Sequence, residues 1–277
     1  MDDRYRELFQ SESDGLIEQI LPLRQRVGEW RYMTRAIKAG EMLELECYPV
    51  YTPAERREAR EARKKLTPEQ MERINQRNAE KRIVRLANAN FTRKDNAVTL
   101  TFREPVDYDE GLRACRNFIR RLKRLRERRG LPEMRYIYSV EDRSGDGERR
   151  RTHVHMLLTG GIPREEIETL WGKGFANVDR LQPDEHGLAG IARYISKQQK
   201  NRKRWVCSNN LKKPTVRQSE CKLTNRKVRT LAERLPQESQ EILEKLWPGY
   251  DYVECSVKYS YYVGGVYVAA LMRRKPK

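Results

Sequence analysis

The sequence has little histidine: three residues in 277. Its five cysteines stand apart at 47, 115, 207, 221 and 255, with no Cys-x-x-Cys. An odd, scattered set argues against a disulfide framework and against a zinc knuckle. It points to reduced thiols, mostly core or incidental. No apolar run reaches the ~18 residues of a membrane span. Met1-Asp2-Asp3-Arg4 lacks the apolar core of a secretion signal. A cytoplasmic protein with no membrane partner is expected. There is no Gly-x-x-x-x-Gly-Lys-Ser/Thr, so no ATPase motor of that type, and no internal repeat.

Cationic charge, in contrast, is abundant. The net charge is +18 and the pI about 9.8. Residues 112–129 carry nine Lys/Arg against one acid, and residues 190–230 carry thirteen against one. These two stretches hold the whole excess, which suggests a polyanion footprint, nucleic acid foremost. Apolar content is 38%, enough for one large domain or two modest ones.

Along the chain, residues 16–23 suggest a short helix and 42–51 a strand ending at Pro49. Residues 53–65 read as a charged, solvated helix. Thr67-Pro68-Glu69-Gln70 is a helix start in which Thr67 caps, Pro68 takes the first position and Gln70 completes the capping pattern. That helix is expected to reach about residue 88, making 1–90 a mostly helical N-terminal extension and 90–96 a linker. Residues 97–102 are strand-like. Asp107 or Asp109 then caps a helix whose Tyr108, Leu112, Cys115, Ile119, Leu122 and Leu125 form one buried stripe. Arg113, Arg116, Arg120 and Arg124 fill its other face, as a solvated surface or a phosphate-tracking one. Residues 136–140 form a strand, Ser144-Gly145-Asp146-Gly147 a turn, and 152–158 the returning strand of a hairpin. A helix follows Pro163, then a strand over 175–181, then a helix opened by Pro183-Asp184-Glu185. Residues 201–230 look basic and irregular. One helix is expected over 231–246. A hairpin is expected around Gly264-Gly265, its Tyr259, Tyr261, Tyr262 and Tyr267 serving as an aromatic core or as base-stacking platforms.

Two motifs carry chemistry. In Thr152-His153-Val154-His155-Met156, period 2 puts both imidazoles on one strand face, so they can converge on one ion. In the helix over 188–197, Leu188, Ile191, Ala192 and Ile195 form the core stripe. Gly187, Gly190, Tyr194 and Lys197 share another face, and the glycines suggest either tight helix–sheet packing or close approach of a backbone. The metal candidates are His153, His155 and a carboxylate at Glu141, with Asp142 the alternative. Bringing Glu141 beside His153 needs a bulge or a wide loop, because a tight register pairs it nearer Arg150. His186 is a further candidate neighbour. A divalent cation there would act as Lewis acid on a phosphodiester, and Tyr194 would be the nucleophile. Lys197 would neutralise phosphate charge or deliver a proton. Arg151, Arg193, Lys200, Arg202, Lys203 and Arg204 are candidate DNA contacts beside the four helix arginines.

The combination of His-hydrophobic-His on a strand with a later Tyr-x-x-Lys helix resembles the HUH endonucleases. More narrowly it resembles the single-tyrosine rolling-circle replication initiators of plasmids, phages and small DNA viruses. Val98-Thr99-Leu100-Thr101-Phe102 is similar to the first strand motif, 152–158 to the metal motif and Tyr194-Ile195-Ser196-Lys197 to the nucleophile motif. Trp171-Gly172-Lys173-Gly174 before a strand is similar to the bacterial phage and plasmid initiators. The resemblance covers about 90–200 and implies an α+β fold: a central antiparallel sheet of about five strands flanked by helices. The nuclease domain would span 91–200, followed by a basic C-terminal segment, 201–277, with helix and β-hairpin. The resemblance also implies Mg²⁺ or Mn²⁺, a third ligand at Glu141, a site-specific nick in single-stranded origin DNA, and reliance on a host helicase and polymerase. A related transposase or relaxase would use the same parts. A non-catalytic basic regulator would explain the charge but neither motif.

Overall fold

The structure is a computed structural model. It describes residues 31–50, 52–54, 57, 61, 67–143, 148–196, 203–220, 222–233, 236–259 and 266–276. The helix suggested at 16–23, the 144–147 turn, Gly264-Gly265 and Lys197 lie outside the described residues. Chain contacts divide the protein into two units, one of residues 79–213 and one combining residues up to 78 with 214–277. Each holds a five-stranded antiparallel sheet, so the fold is α+β, as expected. The boundaries differ from those expected at 90 and 200.

In the first unit the sheet order is β6-β3-β5-β4-β7. The strands are β3 (Asn96–Thr101), β4 (Tyr136–Arg143), β5 (Arg149–Leu158), β6 (Ala176–Arg180) and β7 (Val206–Cys207). Helices cover both faces: α1 (Pro68–Asn90), α2 (Tyr108–Arg128), α3 (Arg164–Trp171) and α4 (Ala189–Ile195). One face carries Val98, Leu100, Tyr138, Val140, Val154 and Met156, which pack against Cys115, Phe118, Ile119 and Leu122 of α2 and Ile167 and Trp171 of α3. The other carries Ile137 and Leu157, packed against Ile83 and Ala87 of α1 and Leu188, Ala192 and Ile195 of α4. Burying such a side chain fully contributes about 1.5–3 kcal/mol relative to exposing it.

Local signals account for most of the helix starts. Thr67 and Gln70 exchange the two bonds of a capping box, Gln70 Oε1 accepting from Thr67 N–H at 2.8 Å and Thr67 Oγ1 from Gln70 N–H at 3.2 Å. Asp107 caps α2, accepting from Glu110 N–H at 2.7 Å. Gly130, at φ +63°, follows the end of α2.

Residues 90–96 are not a linker. Asp95 and Asn96 are buried, and Asp95 accepts from the backbone N–H of Thr92 and of Gly160 at 2.7 and 2.9 Å. Nor is the basic run of α2 all surface. Arg126 is buried and donates to the carbonyls of Pro132 and Gly160. A helix after Pro183 is also corrected: Asp184 and Gly187 bond to each other in a turn, Gly187 has φ +70°, and α4 starts only at Ala189.

In the second unit the sheet order is β8-β1-β2-β10-β9, formed by β1 (Tyr32–Ala39), β2 (Met42–Pro49), β8 (Thr215–Ser219), β9 (Tyr250–Tyr259) and β10 (Val266–Arg274). Helices α5 (Asn225–Glu233) and α6 (Pro236–Leu246) pack on it through Val228, Leu231 and Leu243. The described part of 1–90 is therefore a hairpin and a helix rather than mostly helix. The stretch 201–230 includes the strands β7 and β8. The single helix expected over 231–246 is two, the second beginning at Pro236, where a proline suits a first helical position. The β9–β10 hairpin stands as expected.

Candidate metal centre

Strand pairing builds the centre row by row. Thr101, His153 and Glu141 lie side by side on neighbouring strands; Thr99, His155 and Ser139 form the next row, and Ala97, Leu157 and Ile137 the third. All project to the face covered by α1 and α4, because Val154 and Met156 pack on the opposite one. The third row is apolar and lies under those helices. The first two are polar, so the face passes from core to chemistry within two residues of one strand.

A bulge puts Glu141 in its place. Arg143 pairs with Arg149, yet Glu141 pairs with His153, so the register shifts between them. Three β5 residues, Arg150, Arg151 and Thr152, thus stand opposite Asp142 alone. Without that insertion the ladder would set Glu141 against an arginine, on the wrong side of the sheet from the histidines.

The side chains converge tightly. His153 Nε2 lies 3.3 Å from Glu141 Oε2, and the two imidazole rings are 4.8 Å apart at 83°. Glu141, His153 and His155 each offer one ligand atom, and these atoms all lie within 4.8 Å of one another. Their other atoms are oriented by neighbours. His153 Nδ1 is 2.9 Å from the Arg151 carbonyl, which can only accept. In the neutral ring the proton therefore sits on Nδ1 and the Nε2 lone pair faces Glu141. His155 Nδ1 is 3.2 Å from Thr99 Oγ1. Glu141 Oε1 is buried and has no hydrogen-bond partner among the described residues, a state that costs about 1–3 kcal/mol or more. Two imidazole nitrogens, one carboxylate and an orphaned buried oxygen fit a divalent cation.

Tyr194 stands beside this trio. Leu188, Ala192 and Ile195 anchor α4 in the core, and Asn88 of α1 accepts from the Leu188 N–H at 2.8 Å. Tyr194 then points outward, 38% exposed, with its ring 4.6 Å from that of His155 at 80°. Burial holds its phenol above the ordinary value, the Glu141 carboxylate adds to the rise, and Arg150 opposes it. A cation at Glu141 would reverse the second of these effects.

Residues 95–199 match a family of replication-associated proteins, the ORF2 type. This segment belongs to that family. The match runs from just before β3 to just beyond α4, so the replication-associated segment contains the metal trio, Tyr194 and Lys197. No curated protein and no solved structure matches the chain.

Other candidates fall elsewhere. Among the carboxylates beside the histidines, Glu141 belongs to the trio and Asp142 does not. His186 pairs with Glu185 at 3.7 Å and is outside the trio. Gly190 is not a close-approach glycine: a Cβ there would meet nothing within 4 Å. Arg113, Arg116, Arg120 and Arg124 are exposed on the helix that covers the sheet face away from the histidines, so they are not brought to the centre. Arg151 donates to the carbonyls of Phe102 and Arg103 and ties β5 to the end of β3. Arg193 and Lys203 are exposed and Arg204 is half-buried; Lys200 and Arg202 lie outside the described residues. Tyr267 is fully buried and is no stacking platform; the side chains of Tyr259, Tyr261 and Tyr262 are outside the described residues. Thr99 and Arg150 are site neighbours that sequence reading missed. Only the strand register reveals them, although Thr99 does share the parity of the histidine face once β3 is paired with β5.

Proposed function

We propose that the protein is a rolling-circle replication initiator that nicks and rejoins single-stranded origin DNA through Tyr194. The observation that carries this is the phenol of Tyr194 packed beside His155 at the edge of a three-ligand trio, inside the replication-associated segment. Glu141, His153 and His155 would hold Mg²⁺ or Mn²⁺. Such an ion, when bound, supplies Lewis-acid stabilisation of phosphate charge. The remaining work falls to the chain. Thr99 and the Arg151 carbonyl orient the two imidazoles. The α4 stripe fixes Tyr194 so that its oxygen meets phosphorus in line. The phenol gives up its proton, its oxygen bonds to phosphorus, the P–O3′ bond breaks, and the released 3′ oxygen takes up a proton. The products are a 5′-phosphotyrosine and a free 3′-OH; reversal by another 3′-OH rejoins strands. Lys197, one helical turn on in sequence, is assigned to phosphate charge or to that proton. Arg151, Arg193, Lys203 and Arg204, with Lys200 and Arg202, would track the strand, and the α2 arginines would supply a separate cationic face. A host helicase and polymerase would extend from the 3′-OH.

Incubating the protein with end-labelled single-stranded origin DNA and Mn²⁺ tests the reading. Wild type should give a covalent adduct stable to denaturant, and Tyr194→Phe should give none while still binding DNA. An adduct that persists in Tyr194→Phe assigns the nucleophile elsewhere.

A further inference from the structure

We infer that Phe175 is a stacking platform for an unpaired base of the strand whose phosphate lies at the histidine centre; this rests on the function proposed above. The position of Phe175 is enforced. Gly172 ends α3 in the left-handed region, at φ +62°. At Gly174 a Cβ would lie 2.4 Å from the Thr101 carbonyl oxygen and 2.7 Å from Arg103 N, so this backbone presses directly on the end of β3. Arg103 N–H donates to Lys173 O and Thr101 N–H to Phe175 O, both at 2.8 Å. Trp171, fully buried, donates from Nε1 to Thr101 O at 2.8 Å. The stretch from 171 to 175 is therefore pinned on both sides of Phe175's neighbour in β3.

The direction of the ring follows from the strand. Ala176 and Val178 are buried with Val98 and Leu100 on the sheet face away from the histidines. Period 2 sends Phe175 to the histidine face. Thr101, which hydrogen-bonds Phe175, is also the partner of His153. One row thus reads Phe175, Thr101, His153, Glu141. Two strand spacings, ~10 Å, separate Phe175 from His153, within about three nucleotides at ~3.4 Å each.

Phe175 is 68% exposed. A lone exposed apolar residue is ordinary. Here, however, the large apolar or aromatic side chains exposed among the described residues are Phe175, Tyr194 and Val216, and the first two flank the same histidine pair. Arg103 and Lys173, both exposed, neighbour the ring in the chain and suit adjacent phosphates. An aromatic face with cations beside it is the composition that holds single strands without reading base identity. A phenylalanine has no donor or acceptor for a base edge, so its contribution is affinity and placement of the strand.

The test compares Phe175→Ala, Phe175→Leu and Phe175→Trp in the full chain, each in a Tyr194→Phe background so that cleavage does not interfere. Binding to labelled single-stranded DNA is measured at fixed salt, with melting temperatures as a check on folding. Alanine and leucine should each weaken binding roughly tenfold and tryptophan should restore it. Replacing nucleotides near the cleavage site one at a time by an abasic unit should reveal one position that weakens binding to the Phe175 protein by a similar factor and leaves the alanine variant unchanged. Equal binding by the alanine variant, full rescue by leucine, or an abasic effect of the same size in both proteins would overturn the stacking role. Absence of a covalent adduct in wild-type protein would instead overturn the nicking reading, while the binding comparison would still decide on Phe175.

Discussion

Glu141→Gln removes one negative charge and keeps the side-chain volume, which makes it the sharpest probe of the metal centre. Glu141 is 8% exposed, and its Oε2 lies 3.3 Å from His153 Nε2. Loss of an outer partner of a metal ligand already lowers metal affinity about 10–100-fold. Loss of a charged donor should therefore cost at least ~100-fold, about 2.7 kcal/mol. The substitution also acts on the proton that competes with the ion. Hydrogen bonding to Glu141 raises the His153 pKa and burial opposes the rise. Raised affinity for the proton means that divalent binding weakens as pH falls through that raised value. In the Gln variant the histidine titrates lower, so the gap between the two proteins should narrow as pH drops. Metal-free stability carries the same sign. The His153–Glu141 contribution is fully present below the unfolded histidine value, about 6.5, and is lost as pH rises through the raised folded value. The variant should thus be the less stable protein near pH 6 and nearly equal to wild type at pH 9. Calorimetric titration with Mn²⁺ between pH 6 and 8, with NMR of the histidine ring nitrogens, measures both effects. Mn²⁺ affinity within twofold of wild type, in a folded variant whose His153 titrates unchanged, would refute the assignment of Glu141.

Two further substitutions probe what surrounds the ligands. Thr99→Val deletes the hydroxyl beside His155 Nδ1 and should lower Mn²⁺ affinity roughly tenfold, by calorimetry, with little change in stability. Leu157→Ala empties a fully buried position directly behind the histidine rows and should destabilise the protein by about 3 kcal/mol in denaturant titration, without touching a ligand.

Much of the site was legible because it is local. The alternation of Thr152-His153-Val154-His155-Met156 places two imidazoles together in any strand, whatever pairs with it. The capping box at Thr67 and the cap at Asp107 are also short-range chemistry, and both formed as read. The stripe Leu188, Ala192, Ile195 correctly turned one side of α4 inward, leaving Tyr194 outward. Errors arose where distant segments decide. The basic stretch after 201 holds β8, which exists as a strand through its pairing with β1, far off in sequence. Gly190 looked like a contact glycine, yet nothing approaches it. Arg126 looked like one more surface cation, but the carbonyls of Pro132 and Gly160 draw it inside.

The amino-acid sequence alone determined the inventory: the histidine pair, the candidate carboxylates, the phenol and the cationic excess, together with the helix and strand periods that orient each. The tertiary structure alone decided which of these meet. A two-residue shift in the β4–β5 register selects Glu141 over an arginine as the neighbour of His153. The packing of α2 on the far face removes four arginines from the centre, while α4 on the near face delivers Tyr194. The physical reason is that side-chain direction within an element follows from backbone geometry a few residues long. Register and layer are set by the summed burial of residues distant in the chain, which no local pattern contains.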